Sequence, residues 1–395
     1  MVDDVVVLGV GMHPWGKWGR SFVEYGVAAS RAALADAGLD WPQIGFISGG
    51  NTIRNGYPGH VSGSTFARAL GCTGCQVASS YSACATGSTA LSIARAQILA
   101  GVCDVALAVG ADTTPKGFFA PNPGDRPEDP DWLRFRMVGA TNPVYFGLHA
   151  RRRMELYGMT LDDLTQVKLK NSRHAQGNRY ARFTKRYTAA EIDASPIVSD
   201  PLRLFDICAT SDGAAAVVLS SKDFARRRGG DDRVRLVGLS LQTPTFPDAV
   251  PDLPYLSSDS TTAGAADTTF KATIAGRAFA EAGIGADDVD VAEVYDLSSA
   301  MELDWYEQIG LCGPGEASKL LHAGDTAMGG RVPVNPSGGL GAFGEAPAAQ
   351  ALAQVCELTW QLRRQAGDRT VDGASVGLAI NQGLFGHGSC VILAR

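Results

Sequence analysis

Short apolar runs rich in Val, Ile and Ala alternate with helix-length segments along this chain, and the alternation runs twice in the same order. In the first pass, residues 5–10, 44–48, 76–79 and 102–110 read as strands. Residues 22–37, 61–70 and 86–100 read as helices, the first two closed by Gly38 and Gly71, and residues 214–219 return to the strand pattern. In the second pass, 234–241, 289–294, 375–381 and 390–393 read as strands, with helices over 262–282, 298–310 and 346–365. Strands that are apolar throughout, rather than on alternate residues, belong to a sheet covered on both faces. The pattern therefore predicts an α/β protein, and its repetition predicts two halves, 1–232 and 233–395, duplicated at the level of structure. A chain of 395 residues has enough material for two such cores.

Residues 112–199 interrupt the first half. They are rich in Pro, Asp and Arg and then helical over 142–157 and 161–173, which predicts an inserted cap rather than a separate core. The basic residues of this stretch, among them Arg151, Arg152, Arg153, Lys168, Lys170 and Arg173, form either a solvated face or a receiver for an anionic ligand such as a phosphorylated cofactor.

The formal charge of −6 argues against a nucleic-acid binder, whose surface would be basic. No apolar stretch is long enough to span a bilayer. The first residues carry no basic region or cleavage pattern, so cytoplasmic residence is expected. Eight cysteines are scattered, mostly within apolar runs, as reduced core thiols are. Cys72 and Cys75 form a CxxC without a second pair, so no metal site is expected. His13, His60, His174 and His322 show no ligand spacing, and His149 on the cap helix faces either a substrate tunnel or the packing.

Cys84 stands apart. It lies in Tyr81-Ser-Ala-Cys84-Ala-Thr-Gly87, between a strand and a helix. A thiol at such a turn meets the positive end of the helix dipole, which lowers its pKa, and its backbone N–H can serve an oxyanion. That combination predicts an acyl acceptor or an acyl-thioester site. The alternative is a small buried apolar side chain.

Four segments carry a resemblance. They are Cys84-Ala-Thr-Gly-Ser-Thr-Ala-Leu, the block from Pro201 to Ala216, Glu293-Val-Tyr295-Asp296-Leu297-Ser298, and Val334-Asn-Pro-Ser-Gly-Gly-Leu-Gly-Ala-Phe-Gly344-Glu345-Ala346. In this order they resemble the thiolase superfamily, and within it the sterol-carrier-protein-type thiolases and actinobacterial lipid-transfer-protein relatives. The resemblance implies the thiolase fold, two duplicated βαβαβαββ halves in a five-layer αβαβα sandwich. It also implies a homodimer acting on acyl-CoA thioesters, with coenzyme A as part of the substrate and no tightly bound cofactor.

The departures bear on activity. Where the family's third block resembles His-Asp-Cys-Phe, this chain has Tyr295 and Leu297, and leucine moves no proton. Where the fourth block carries Gly-His-Pro, this chain has Gly344-Glu345-Ala346, and a carboxylate beside a thiol raises the thiol's pKa. Tyr295 can donate to an oxyanion, and Glu345 can act as a base if burial raises its pKa. Those functions suit retro-aldol cleavage of a β-hydroxyacyl-CoA, and some lipid-transfer-protein relatives resemble this profile, acting as aldolases on steroid side-chain CoA esters. Such relatives work with a partner bearing an oligonucleotide/oligosaccharide-type barrel and a zinc ribbon. A second Tyr near the fourth block is part of that picture, and Pro347 occupies the neighbourhood here.

The segment from Asn381 to Ser389 takes the place of the family's glycine-rich active-site loop. Gly383, Gly386 and Gly388 would let backbone approach the ligand, with the Gly383 N–H joining that of Cys84 in an oxyanion hole. His387 is a candidate for the imidazole missing from the fourth block. Three readings follow: a carbon–carbon lyase using Tyr295 and Glu345, an acyltransferase using Cys84 covalently with His387, and a non-catalytic acyl-CoA or lipid binder.

Overall fold

The computed structural model describes residues 5–53, 61–115, 142–229, 234–243, 269–383 and 387–395. Eleven strands are found among them: β1 (Val5–Gly16), β2 (Phe46–Gly50), β3 (Gln76–Ser80), β4 (Val105–Thr113), β5 (Ile197–Ser199), β6 (Leu202–Arg203), β7 (Asp212–Ser221), β8 (Arg235–Gln242), β9 (Val291–Glu293), β10 (Val376–Gly383) and β11 (His387–Ala394). Nine of them form one sheet in the order β3-β2-β4-β7-β1-β8-β11-β10-β9.

That order contains the same arrangement twice. Outward from β1, the neighbours are β7 and β4, both antiparallel, and then β2 and β3, both parallel. Outward from β8, β11 and β10 are antiparallel, β9 is parallel, and a parallel bridge from Ala292 to Val334 stands where a fifth strand would lie. Two short antiparallel pairings, Val5 with Leu236 and Val6 with Arg235, join the halves. The predicted α/β class holds.

The first helices are α1 (Phe22–Ala37), α2 (Ser62–Leu70) and α3 (Thr86–Leu99). The cap supplies α4 (Asn142–Tyr157), α5 (Leu161–His174) and α6 (Ala189–Asp193), and α7 (Lys222–Arg227) follows β7. The second half has α8 (Phe270–Ala282), α9 (Ser299–Gln308), α10 (Ala317–His322), α11 (Leu340–Phe343) and α12 (Pro347–Leu362). Residues 262–268, read as the start of α8, lie outside the described residues.

α1 packs outside β1 and β7, α8 packs outside β8 and β11, and α3 with α12 fill the space between the two halves of the sheet. The layers thus alternate helix, sheet, helix, sheet, helix. α12 is buried on all sides except at Trp360, which its run of alanines and leucines permits. β3 differs from its reading. It is the open edge of the sheet, and Gln76, Val77 and Ser79 are exposed rather than covered.

Three of the cap's basic residues also differ from their reading, while Arg151, Arg152 and Arg173 are exposed as a solvated face would be. Arg153 on α4 is buried and bonds Asp304 at 3.1 Å and Glu307 at 2.6 Å on α9. Lys170 reaches Glu302 at 2.9 Å, and Lys168 donates to the Gly341 carbonyl at 2.9 Å. These cations are internal fasteners for the cap. Arg151 makes a surface pair with Asp200. Among the described residues no helix is long and apolar enough to cross a membrane, and no group of three or more His, Cys, Asp or Glu is placed to hold a metal.

Candidate active site

The turn from β3 into α3 is tight. Ala83 takes a left-handed conformation (φ 46°), which is costly for a residue with a Cβ. Thr86 ties it down: its hydroxyl donates to the Ala83 carbonyl at 2.6 Å and accepts from the Ser82 N–H at 2.8 Å. Cys84 is delivered at the crest of this turn, fully buried.

Glu345 meets it from the other half. The Cys84 thiol donates to Glu345 Oε1 across 3.3 Å. Two glycines make that approach possible. A Cβ on Gly110 of β4 would stand 2.0 Å from the Ala348 carbonyl oxygen, and one on Gly87 of α3 would stand 3.0 Å from it. α12 therefore lies against both elements with backbone nearly touching backbone, and Glu345 just ahead of it is carried to the thiol. Glu345 does not cap α12. Asp112, at the end of β4, accepts from the Ala348 N–H at 2.7 Å, and also from Asn51, Thr52 and Ile53.

Tyr295 follows β9 and is 1% exposed. Its carbonyl is held by Trp305 Nε1 at 3.0 Å, while its buried hydroxyl closes no hydrogen bond of ordinary geometry among the described residues. A buried hydroxyl without a partner is costly unless something else completes it. Asp296, next in sequence, accepts from Leu340 N–H at 2.7 Å and Gly341 N–H at 3.3 Å, which binds the Tyr295 loop to the segment leading into Glu345. Gly339 (φ 63°) must lack a Cβ there, since one would stand 2.3 Å from Asp296 Oδ2.

A third segment stitches these two. The Cys208 N–H donates to Leu297 O at 2.9 Å, Glu345 N–H donates to Ala209 O at 2.6 Å, and Ser211 N–H donates to Glu345 O at 2.9 Å.

The electrostatics overturn the expected activated thiolate. Burial pushes the Cys84 thiol well above its ordinary range, and the Glu345 charge pushes it further. The contact with the Tyr295 hydroxyl lowers it without offsetting the rise. Burial pushes the Tyr295 phenol up likewise, with the Cys84 and Glu345 charges adding to it. Burial lifts Glu345 to about 7, against the lowering by its Cys84 hydrogen bond, and Asp112 adds to the rise. Asp112 is itself raised by burial to about 6. At neutral pH the site holds a thiol, a phenol and a half-ionised carboxyl.

The structure brings Cys84, Tyr295, Glu345 and Gly383 together. A Cβ on Gly383 would be 2.9 Å from Ser82 O and 3.3 Å from Cys84 N, so this glycine lies directly on the nucleophile's turn. Gly388 lies elsewhere: its missing Cβ makes room for Ile274 of α8, 2.0 Å away. Gly386 falls outside the described residues. His387 pairs with Gly383 across the β10–β11 hairpin, is exposed, and makes no hydrogen bond to Cys84 among the described residues. Burial of part of its ring lowers its pKa. Leu297 is fully buried, and Pro347 is the first residue of α12.

His149 is buried, with Nε2 3.5 Å from Asp304. His174 is held neutral by burial, at about 3. Reading the residues alone missed Asp112, Asp296 and Cys208. Asp296 and Cys208 lie within the resembling blocks, which was the available signal. For Asp112 there was none beyond its place at a strand end.

The Thiolase C-terminal domain-like family matches residues 257–395. Sterol carrier protein 2 of Bos taurus is 34% identical over 397 residues, which cover 97% of this chain and 70% of that protein. An acetyl-CoA acetyltransferase of Methanothermobacter thermautotrophicus is 33% identical over 395 residues, 98% of each chain. Among solved structures, the Ltp2-ChsH2(DUF35) aldolase superposes with a TM-score of 0.80 at 23% identity, covering 100% of this chain and 99% of that one. Human mitochondrial 3-ketoacyl-CoA thiolase does so with a TM-score of 0.71 at 14% identity, covering 100% and 99%. At these identities the two structures speak for the fold.

Proposed function

From the premise that this chain belongs to the thiolase superfamily, as a protein of the sterol-carrier-protein type, we propose that it is a carbon–carbon lyase. The reaction is retro-aldol cleavage of a β-hydroxyacyl-CoA, such as a steroid side-chain CoA ester, with coenzyme A entering as part of the substrate. The observation that carries this reading is the contact between Cys84 and Glu345. A thiol facing a buried carboxylate keeps its proton and is a poor nucleophile, whereas the carboxylate, raised to about 7, is a competent base. Glu345 takes the hydroxyl proton, the bond between the α- and β-carbons breaks, and its electrons pass into a thioester enolate. The Tyr295 hydroxyl, buried and free of other hydrogen bonds among the described residues, donates to developing charge on oxygen. The Cys84 and Gly383 backbone supplies the remaining donors.

The likeness to the Ltp2-ChsH2(DUF35) aldolase supports the same reading and a partner subunit, for which the family resemblance implies an OB-type barrel and a zinc ribbon. A homodimer is supported by β3, the open sheet edge next to the Cys84 turn, where Val77 and Tyr81 are 46% and 56% exposed. Acyl transfer through Cys84 is the second reading, favoured by the acetyl-CoA acetyltransferase relatives.

Incubation of the purified chain with a β-hydroxyacyl-CoA, followed by product analysis and intact-protein mass spectrometry, tests both. The expected result is a ketone or aldehyde plus a shortened acyl-CoA, with no mass added to the protein. A stable acyl adduct on Cys84 would overturn the lyase in favour of acyl transfer. Binding with neither outcome would leave a non-catalytic acyl-CoA binder.

A further inference from the structure

Cleavage of a β-hydroxyacyl thioester moves two protons. One leaves the hydroxyl oxygen, and one must arrive at the α-carbon of the enolate. Glu345 answers the first need. Cys84 spends its S–H on Glu345, and both Cys84 and Tyr295 are at most 1% exposed.

Cys208 stands differently. It belongs to the segment that runs between the Tyr295 loop and Glu345, and the backbone fixes it on both sides. Its own N–H is bonded to Leu297 O at 2.9 Å, Ile207 pairs with Ser298, and Ala209 O receives the Glu345 N–H at 2.6 Å. It is a free thiol, and residues 207–210 are only half-buried, whereas Cys84, Tyr295 and Glu345 are sealed. Its S–H is committed to no hydrogen bond among the described residues, unlike that of Cys84, so it is the thiol of the site left free to give a proton.

Burial keeps this thiol protonated at neutral pH, with Glu345, Asp296 and Cys84 the next influences. Lys168, whose amine is anchored 2.9 Å from Gly341 O, is the cation acting the other way, and it favours a transient thiolate.

We propose that Cys208 is the acid that protonates the α-carbon, an assignment that rests on the lyase reading. The enolate's electron pair forms the new C–H bond, the Cys208 S–H bond breaks, and its electrons stay on sulfur as a thiolate. Glu345, protonated by the substrate hydroxyl, then returns that proton to Cys208. The sum moves one proton from the substrate oxygen to its α-carbon and consumes nothing else.

The reverse of the carbon protonation is measurable without the full substrate. Propionyl-CoA in D2O should exchange its α-protons in the presence of the wild-type chain, followed by NMR, and the same preparation should cleave a β-hydroxyacyl-CoA. Cys208→Ser and Cys208→Ala should each slow the exchange by about 100-fold or more, the scale of a lost general acid. Wild-type exchange persisting unchanged in folded variants would overturn the role of Cys208 and leave the lyase standing. A wild-type protein that neither exchanges nor cleaves would overturn the lyase, and the role with it. Should either variant melt early, wild-type protein treated with iodoacetamide gives an independent answer. Labelling of Cys208 that coenzyme A suppresses supports the assignment, and labelling indifferent to coenzyme A opposes it.

Discussion

Glu345 costs the fold something that its chemistry requires. Its folded pKa of about 7 stands above the ordinary 4.5, so the native state holds the extra proton between those values. Stability contributed by this group is therefore present below about pH 4.5 and is lost as pH rises through 7. The span corresponds to roughly 3 kcal/mol at pH 8. Glu345→Gln should accordingly be more stable than wild type at pH 8 by up to that amount and indistinguishable near pH 4, as chemical denaturation would read. The same variant should lose about 100-fold or more in lyase rate, since it removes the base. The wild-type rate should rise with pH along a limb centred near 7, and a flat profile from pH 5.5 to 8 would count against Glu345 as the base. Tyr295→Phe separates role from packing just as sharply. Because the hydroxyl lies beside the Cys84 thiol and closes no hydrogen bond of ordinary geometry among the described residues, its removal should leave Tm nearly unchanged while kcat collapses. A kcat equal to wild type would remove Tyr295 from the mechanism.

The elements owe their relation to a few close approaches. α12 reaches β4 only because Gly110 presents no Cβ to the Ala348 carbonyl. Gly110→Ala should push the start of α12 outward, at a cost of about 1–3 kcal/mol. It should also widen the Cys84–Glu345 contact, so kcat falls further than the change in Tm alone explains. Measuring both on one preparation decides the matter, and a variant with native Tm and native kcat would show that the approach is not tight. The pairing of Asp296 with Leu340 and Gly341 works similarly between loops, holding Tyr295 and Glu345 at a fixed separation. Most elements were legible in the residues, because helix signals such as Gly38, left-handed at the end of α1, act locally. Their ends moved by a few residues wherever the sheet ladder extended beyond the apolar run, as in β1, which runs on from Val10 to Gly16.

At the scale of the whole molecule, β3 ends the sheet with Gln76, Val77 and Ser79 exposed. An exposed edge next to an active-site turn is a ready partner for a second copy, and Val77→Lys should block such pairing. Sedimentation should find wild type as a dimer and the variant as a monomer, while a dimer unaffected by the charge would place the interface elsewhere. By itself the sequence determined the α/β class, the repeated order of elements and the place of Cys84 at a strand-to-helix turn, since each is written in local patterns of a few to twenty residues. It could not determine the state of that thiol. Helix-dipole reasoning expected an activated thiolate, but the outcome was decided by complete burial and by Glu345, 261 residues away along the chain. The same holds for Arg153, Lys168 and Lys170, whose charges suggested a surface and whose partners are buried acids and carbonyls in the other half. Cys208 too becomes a site residue only through backbone bonds to Leu297 and Glu345. Burial and long-range charge belong to the packed whole, and no window of sequence contains them.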